Sequence, residues 1–260
     1  MKTIVTLAGL SIVVCGLAAA QTSTGNRIVI PSRNTARPRQ VKIHTLNVPI
    51  TVKGYDGKDV VVESGSPPPS DSQGMHRIDV PRGMTIEEAD NVIEIRTSPF
   101  GKESNLVVMV PPATALDLHS LNGAVRVEGV QGEVVAHTTN GRIDATNISG
   151  TVVADTLNGR IQVVMDRVDQ SKPLFFSTLN GGIDVTVPAD IKANVRFKTL
   201  HGPVNTDFAI TMGGSLTEPD NSGQGRYRLR SEGPLEGRIN GGGVQIEFRT
   251  LNAPIYLRKK

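Results

Sequence analysis

At 260 residues the chain has room for one domain-sized core, and 28 Lys+Arg against 25 Asp+Glu leave no basic excess fit for nucleic acid. Aromatic residues are 3% of it, with no Trp, so platforms for stacking bases or sugars are few. The lone cysteine excludes a disulfide framework and a thiolate metal site.

Residues 1–20 read as an export signal. Lys2 gives a positive start, Ile4 to Leu17 is almost continuously apolar, and Ala18-Ala19-Ala20 predicts cleavage between Ala20 and Gln21. The run is too short for a membrane span, and no later stretch is longer. The mature chain is therefore expected to be exported, periplasmic or at the cell surface, with no transmembrane segment. Cys15 follows Val14 where a lipobox would need a small residue, so lipidation is not expected, and cleavage removes the thiol.

Residues 21–40, rich in Thr, Ser, Arg and Pro, predict a flexible lead-in to a single domain over 41–260. Strands are expected in Val41–Val52, Val60–Glu63, Ile78–Pro81, Val92–Ile95 and Leu106–Val110, with a loop from Ser64 to Gly74. Pro111 and Pro112 close this irregular amino-terminal part.

A nine-residue repeat then begins at Asn122: NGAVRVEGV, QGEVVAHTT, NGRIDATNI, SGTVVADTL, NGRIQVVMD. Glycine holds the second place at Gly123, Gly132, Gly141, Gly150 and Gly159. The fourth and sixth places are aliphatic, as in Val125 and Val127 or Ile143 and Ala145, so they share one face of an extended strand. The third, fifth and seventh places carry residues such as Arg126, Arg142 and Asp144 toward water. Two nonapeptides make one coil, since Asn122, Asn140 and Asn158 recur at 18 residues. The corner returns at Asn180-Gly181, and again at His201-Gly202 with histidine in place of asparagine. Each Asn-Gly pair predicts a tight turn with positive φ at the glycine. The predicted fold is all-β: a parallel β-solenoid of ~18–22-residue coils, stacked in chain order at ~4.8 Å, after irregular amino-terminal strands. Ser215 to Gly225 is a polar excursion. Tyr227, Leu229, Val244–Phe248, the corner Thr250-Leu251-Asn252 and Ile255–Leu257 complete the chain.

Asn122, Asn140, Asn158 and Asn180 are expected to stack as an amide ladder, and Thr138, Thr156, Thr178 and Thr199 as a hydroxyl ladder, both structural. Asp144, Gln162, Asp184 and Asn205 each lie four residues past a corner and predict one outward column. Asp144 and Asp184 would then stand about 10 Å apart, too far for a retaining glycosidase and marginal for an inverting one. Arg126, Arg142 and Arg160 are expected to pair with nearby carboxylates. No G-x-G-x-D run supports a calcium roll, and the histidines at 44, 76, 119, 137 and 201 lack zinc spacing. No catalytic, metal or cofactor residue is expected, and the ligand-binding residues are unassigned.

The series SLNGAVRV from Ser120, TTNGRIDA from Thr138, TLNGRIQV from Thr156 and TLNGGIDV from Thr178 resembles the bacterial putative-adhesin family. The closing GRINGGGVQIEFRTLNAPIYL and the early VKIHTLNVPITVKGYDGKDVVVE are similar to that family's end and opening. The resemblance spans roughly residues 40–258. It implies an exported β-solenoid of unknown function. With no convergent reactive residues in the sequence, the expected role is non-enzymatic binding of cell-surface or envelope components, protein or glycan. A polysaccharide-active enzyme using Asp144 or Asp184, and an envelope scaffold or signalling partner, are the alternatives.

Overall fold

The computed structural model describes residues 27–32, 38–65, 83–98, 105–212 and 234–260. These contain twenty strands and no helix. The signal segment with Ala20 and Gln21, the strand expected near Ile78, His76, the 215–225 excursion, Tyr227 and Leu229 lie outside the described residues. In chain order the strands are β1 Arg27–Ile30, β2 Arg39–Thr45, β3 Ile50–Gly54, β4 Val60–Gly65, β5 Met84–Ala89, β6 Val92–Thr97 and β7 Asn105–Val110. The repeat region supplies β8 Thr114–Ser120, β9 Val125–Glu128, β10 Glu133–Thr138, β11 Ile143–Thr156, β12 Ile161–Val168, β13 Leu174–Thr178 and β14 Ile183–Val187. The remainder gives β15 Ala193–Thr199, β16 Val204–Thr206, β17 Thr211–Met212, β18 Leu235–Ile239, β19 Val244–Thr250 and β20 Ile255–Lys259.

A typical coil is a pair of strands joined at a corner such as Thr156-Leu157-Asn158, one strand in each of two facing sheets. Sheet A runs β1, β4, β7, β3, β9, β11, β12, β14, β20, β16. Sheet B runs β5, β6, β2, β8, β10, β11, β13, β19, β15, β18, β17. β11 serves both sheets by bending near Asn147 (φ 55°) and Gly150 (φ 143°), so the coil's second corner is a kink inside one strand. The alternation expected from the repeat is present, as in the buried–half-buried sequence along β8. The buried residues, from Ile43 and Ile50 through Val134 and Ile161 to Phe248 and Leu257, form one cluster between the sheets. Burying each such side chain contributes roughly 1.5–3 kcal/mol.

The sheets are mixed, which corrects the expectation of a wholly parallel solenoid. Their central strands are parallel, but antiparallel β4, β1 and β5 cover one end, and antiparallel β18 and β17 cover sheet B at the other. Stacked coils need such closure, because an open parallel edge would template further strands. The stacking order is also not the chain order. The β2–β3 coil lies between β6–β7 and β8–β9, and the β19–β20 coil lies between β13–β14 and β15–β16. Within the stretch read as a flexible lead-in, β1 pairs antiparallel with β4 and Arg39 is buried in β2. The Arg39 guanidinium donates to the carbonyl of Pro31 at 2.6 Å and meets Glu88 at 3.4 Å.

The corner glycines need a different explanation from the expected one. The described backbone has no positive φ at Gly123, Gly141, Gly159 or Gly181. A Cβ at Gly141 would overlap the carbonyl oxygen of Gly123, and one at Gly159 that of Gly141. Close approach of successive corners excludes a side chain there.

Candidate functional site

Three columns run along the stack, and each is a consequence of in-register pairing. The first is the corner. The Asn122 amide donates to Asn47 at 2.7 Å, Asn140 to Asn122 at 2.7 Å, Asn158 to Asn140 at 2.8 Å, Asn180 to Asn158 at 2.8 Å, and Asn252 to Asn180 at 3.2 Å. Behind it, Thr138, Thr156 and Thr178 donate to the carbonyls of Gly123, Gly141 and Gly159 at 3.1, 2.9 and 2.9 Å. These buried hydroxyls satisfy corner carbonyls that no strand pairs. Thr250 takes the place expected of Thr199 in this ladder by donating to Gly181. Beside the amides stand the exposed side chains of Leu46, Leu121, Leu157, Leu179 and Leu200.

The second column crosses the outward face of sheet B. His44, His119 and His137 stack with ring centroids 5.0 Å apart at both steps. Three of the five histidines are therefore neighbours, brought together by the parallel pairing of β2, β8 and β10. Their carboxylate partners are Glu94 at 3.7 Å, Asp117 at 2.8 Å and Asp155 at 3.8 Å. Partial burial, and next the nearby His119, hold the His44 imidazole below its usual pKa, against the opposing pull of Glu94 and Asp117. No group of histidine, cysteine or carboxylate side chains among the described residues is arranged to hold a metal ion.

The third column, on the outward face of sheet A, contains the carboxylates singled out in sequence. Asp144 pairs with Gln162, and Gln162 with Asp184, as expected. The next residue is Tyr256 on the inserted β20, and Asn205 follows it. Asp144 meets Arg142 at 2.9 Å and Arg126 at 3.7 Å, and Asp184 meets Arg258 at 2.9 Å and Arg160 at 3.3 Å. Each carboxylate is thus held between two guanidiniums. Arg258 also lies over the Tyr256 ring, 4.9 Å from its centroid. Past Tyr256 a groove of about 500 Å³ opens along Asn205, Asp207 and Arg258. Sequence reasoning missed Tyr256 because it assumed coils stacked in chain order; the Thr-Leu-Asn corner just before it was the available signal.

Facing mixed sheets built from corner-stacked strand pairs define a β-solenoid-like fold. The chain belongs to the Toastrack DUF4097 family, whose model matches residues 41–233. The family is of unknown function. This bears out the family resemblance carried by the repeats. In fold the chain is similar to the crystal structure of a "putative cell adhesion protein" from Clostridium sporogenes ATCC 15579, with a TM-score of 0.48, 11% identity, and cover of 90% of this chain and 99% of that one. No curated protein sequence matches it.

Proposed function

We propose that the protein is an exported, non-enzymatic binding protein of the cell envelope or cell surface, adhesin-like in role, built as a β-solenoid that presents its flat faces. The observation that carries this reading is the state of the sheet A column. Its two carboxylates are engaged by arginines, whereas the neutral Gln162 and Asn205 side chains and the Tyr256 hydroxyl take no hydrogen-bond partner among the described residues. A face with ordered, unspent hydrogen-bonding groups suits recognition. The run at Ile4–Leu17 followed by Ala18-Ala19-Ala20 supports export. Partners are envelope or surface components, with no nucleic acid and no cofactor.

The test uses the purified mature protein and isolated cell envelopes. Saturable sedimentation with the envelopes is expected, without release of soluble sugar. Sugar release that Asp144→Asn or Asp184→Asn abolishes would sink the non-enzymatic reading. Recovery of a single defined protein after crosslinking in cells, with no affinity for envelopes, would replace it with a scaffold role.

A further inference from the structure

We propose that the outward face of sheet A across β12, β14, β20 and β16, ending in the groove between β20 and β16, is a subsite for a neutral, linear oligosaccharide of about three units, with Tyr256 as its central platform. This deepens the envelope-binding reading and rests on it. Four side chains make one row across four neighbouring strands in the order Gln162, Asp184, Tyr256, Asn205. The row spans three strand spacings of ~4.8 Å, and the units of an extended glycan recur at a similar interval, so successive sugars meet successive side chains.

The chemistry of the row fits hydroxyls. The carboxamides of Gln162 and Asn205 each offer donors and an acceptor, and neither is committed to a protein partner among the described residues. Asp184 is fixed by Arg160 at 3.3 Å and Arg258 at 2.9 Å, so its remaining lone pairs and the guanidinium edges form a rigid polar wall. Tyr256 supplies an apolar ring with a polar tip, the combination that grips a sugar's C–H face and a hydroxyl together. Arg258 over that ring keeps the platform in place.

Charge decides the ligand class. Along this row Arg160 and Arg258 are matched in number by Asp184 and Asp207, so the face offers no net attraction to an anionic polymer. The groove is open and polar rather than an enclosed apolar cavity, which suits a chain lying across the sheet more than a small hydrophobic molecule. No bond is made or broken in this role.

The experiment is calorimetric titration of the full mature protein with cellotriose, chitotriose and mannotriose, and with trigalacturonate as the anionic comparison. One neutral trisaccharide is expected to bind with a dissociation constant at or below the millimolar range, and trigalacturonate more weakly. Tyr256→Val and Asn205→Ala, whose positions are half-buried and exposed, should keep the wild-type melting temperature. Each should weaken binding, Tyr256→Val by about tenfold, which is about 1.4 kcal/mol. The groove assignment fails if no neutral trisaccharide binds, if the anionic one binds best, or if both variants bind as wild type. Envelope sedimentation separates this from the broader reading. Envelope binding that both variants retain in full overturns the groove alone, and trisaccharide binding without envelope binding overturns only the envelope role.

Discussion

At the level of single residues, Gly141 shows why the corner excludes a side chain. Its backbone φ is ordinary, but a Cβ there would overlap the Gly123 carbonyl oxygen and press on the Thr138 hydroxyl. Gly141→Ala should destabilise the protein by about 3 kcal/mol or more, because the obstacle is backbone of the neighbouring coil. Gly83→Ala, at a position with open space, should change stability by no more than ~0.5 kcal/mol. Chemical denaturation of the two variants checks this; equal effects would refute the close-approach account. His44 carries the second residue-scale prediction. Burial and His119 lower its pKa below 6.5, outweighing Glu94 and Asp117, while Arg96 adds to the lowering. The unfolded chain therefore binds the proton more readily, so stability is full above about pH 6.5 and falls as pH drops through the depressed value. The melting temperature should decline on acidification through that window, and His44→Asn should flatten the decline. An unchanged slope in the variant would remove the histidine stack as the cause.

At the level of elements, the two corner ladders differ in what their loss leaves behind. Asn140 is exposed, and replacing it with alanine forfeits two amide bonds that water can replace. Thr156 is buried, and Thr156→Val leaves the Gly141 carbonyl without its hydroxyl donor in a dry corner. Thr156→Val should cost about 1–3 kcal/mol and Asn140→Ala less, a ranking that urea denaturation resolves. The strand content of these coils was legible in sequence, because the two-residue alternation at Val134 and Ala136, or Ile161 and Val163, has one physical meaning. Asn-Gly marked the corners correctly, although φ was the wrong reason for the glycine. Neighbour relations were not legible. Leu46-Asn47, Leu157-Asn158 and Leu251-Asn252 present nearly the same surface, so any coil could rest on any other as far as local chemistry goes. That degeneracy hid the His44–His119–His137 stack and the place of Tyr256 beside Asp184. Side-chain matching resolves part of it: Phe176, Phe248 and Phe197 stack at 5.4 and 5.1 Å, placing the last coil between two strands that also turn a phenylalanine into the core.

For the whole molecule, the insertion of β19–β20 has a consequence for cooperativity. In a stack built in chain order, the final coil would contact one neighbour and fray first. Here β19 pairs with both β13 and β15, and β20 with both β14 and β16, so the final strands are interior to the stack. The same holds for β2–β3 near the other end of the chain. Long-range contacts therefore dominate at both ends, and nearest-neighbour unzipping from the last residue is blocked. Native-state hydrogen exchange should find the amides of Ile246, Phe248 and Leu257 protected to nearly the same free energy as those of Val134 and Val152 in the middle of the stack. Amides in β17, at the outer edge of sheet B, should exchange much faster. Rapid exchange across β19 and β20 with a protected middle would contradict the inserted coil. Removing residues 244–260 would expose both the β13–β14 and the β15–β16 coils along their strand edges, and such a chain should lose its cooperative melting transition instead of showing a modest drop in melting temperature. The Tyr256 groove depends on the same insertion, because only β20 lying between β14 and β16 sets an aromatic ring between Asp184 and Asn205.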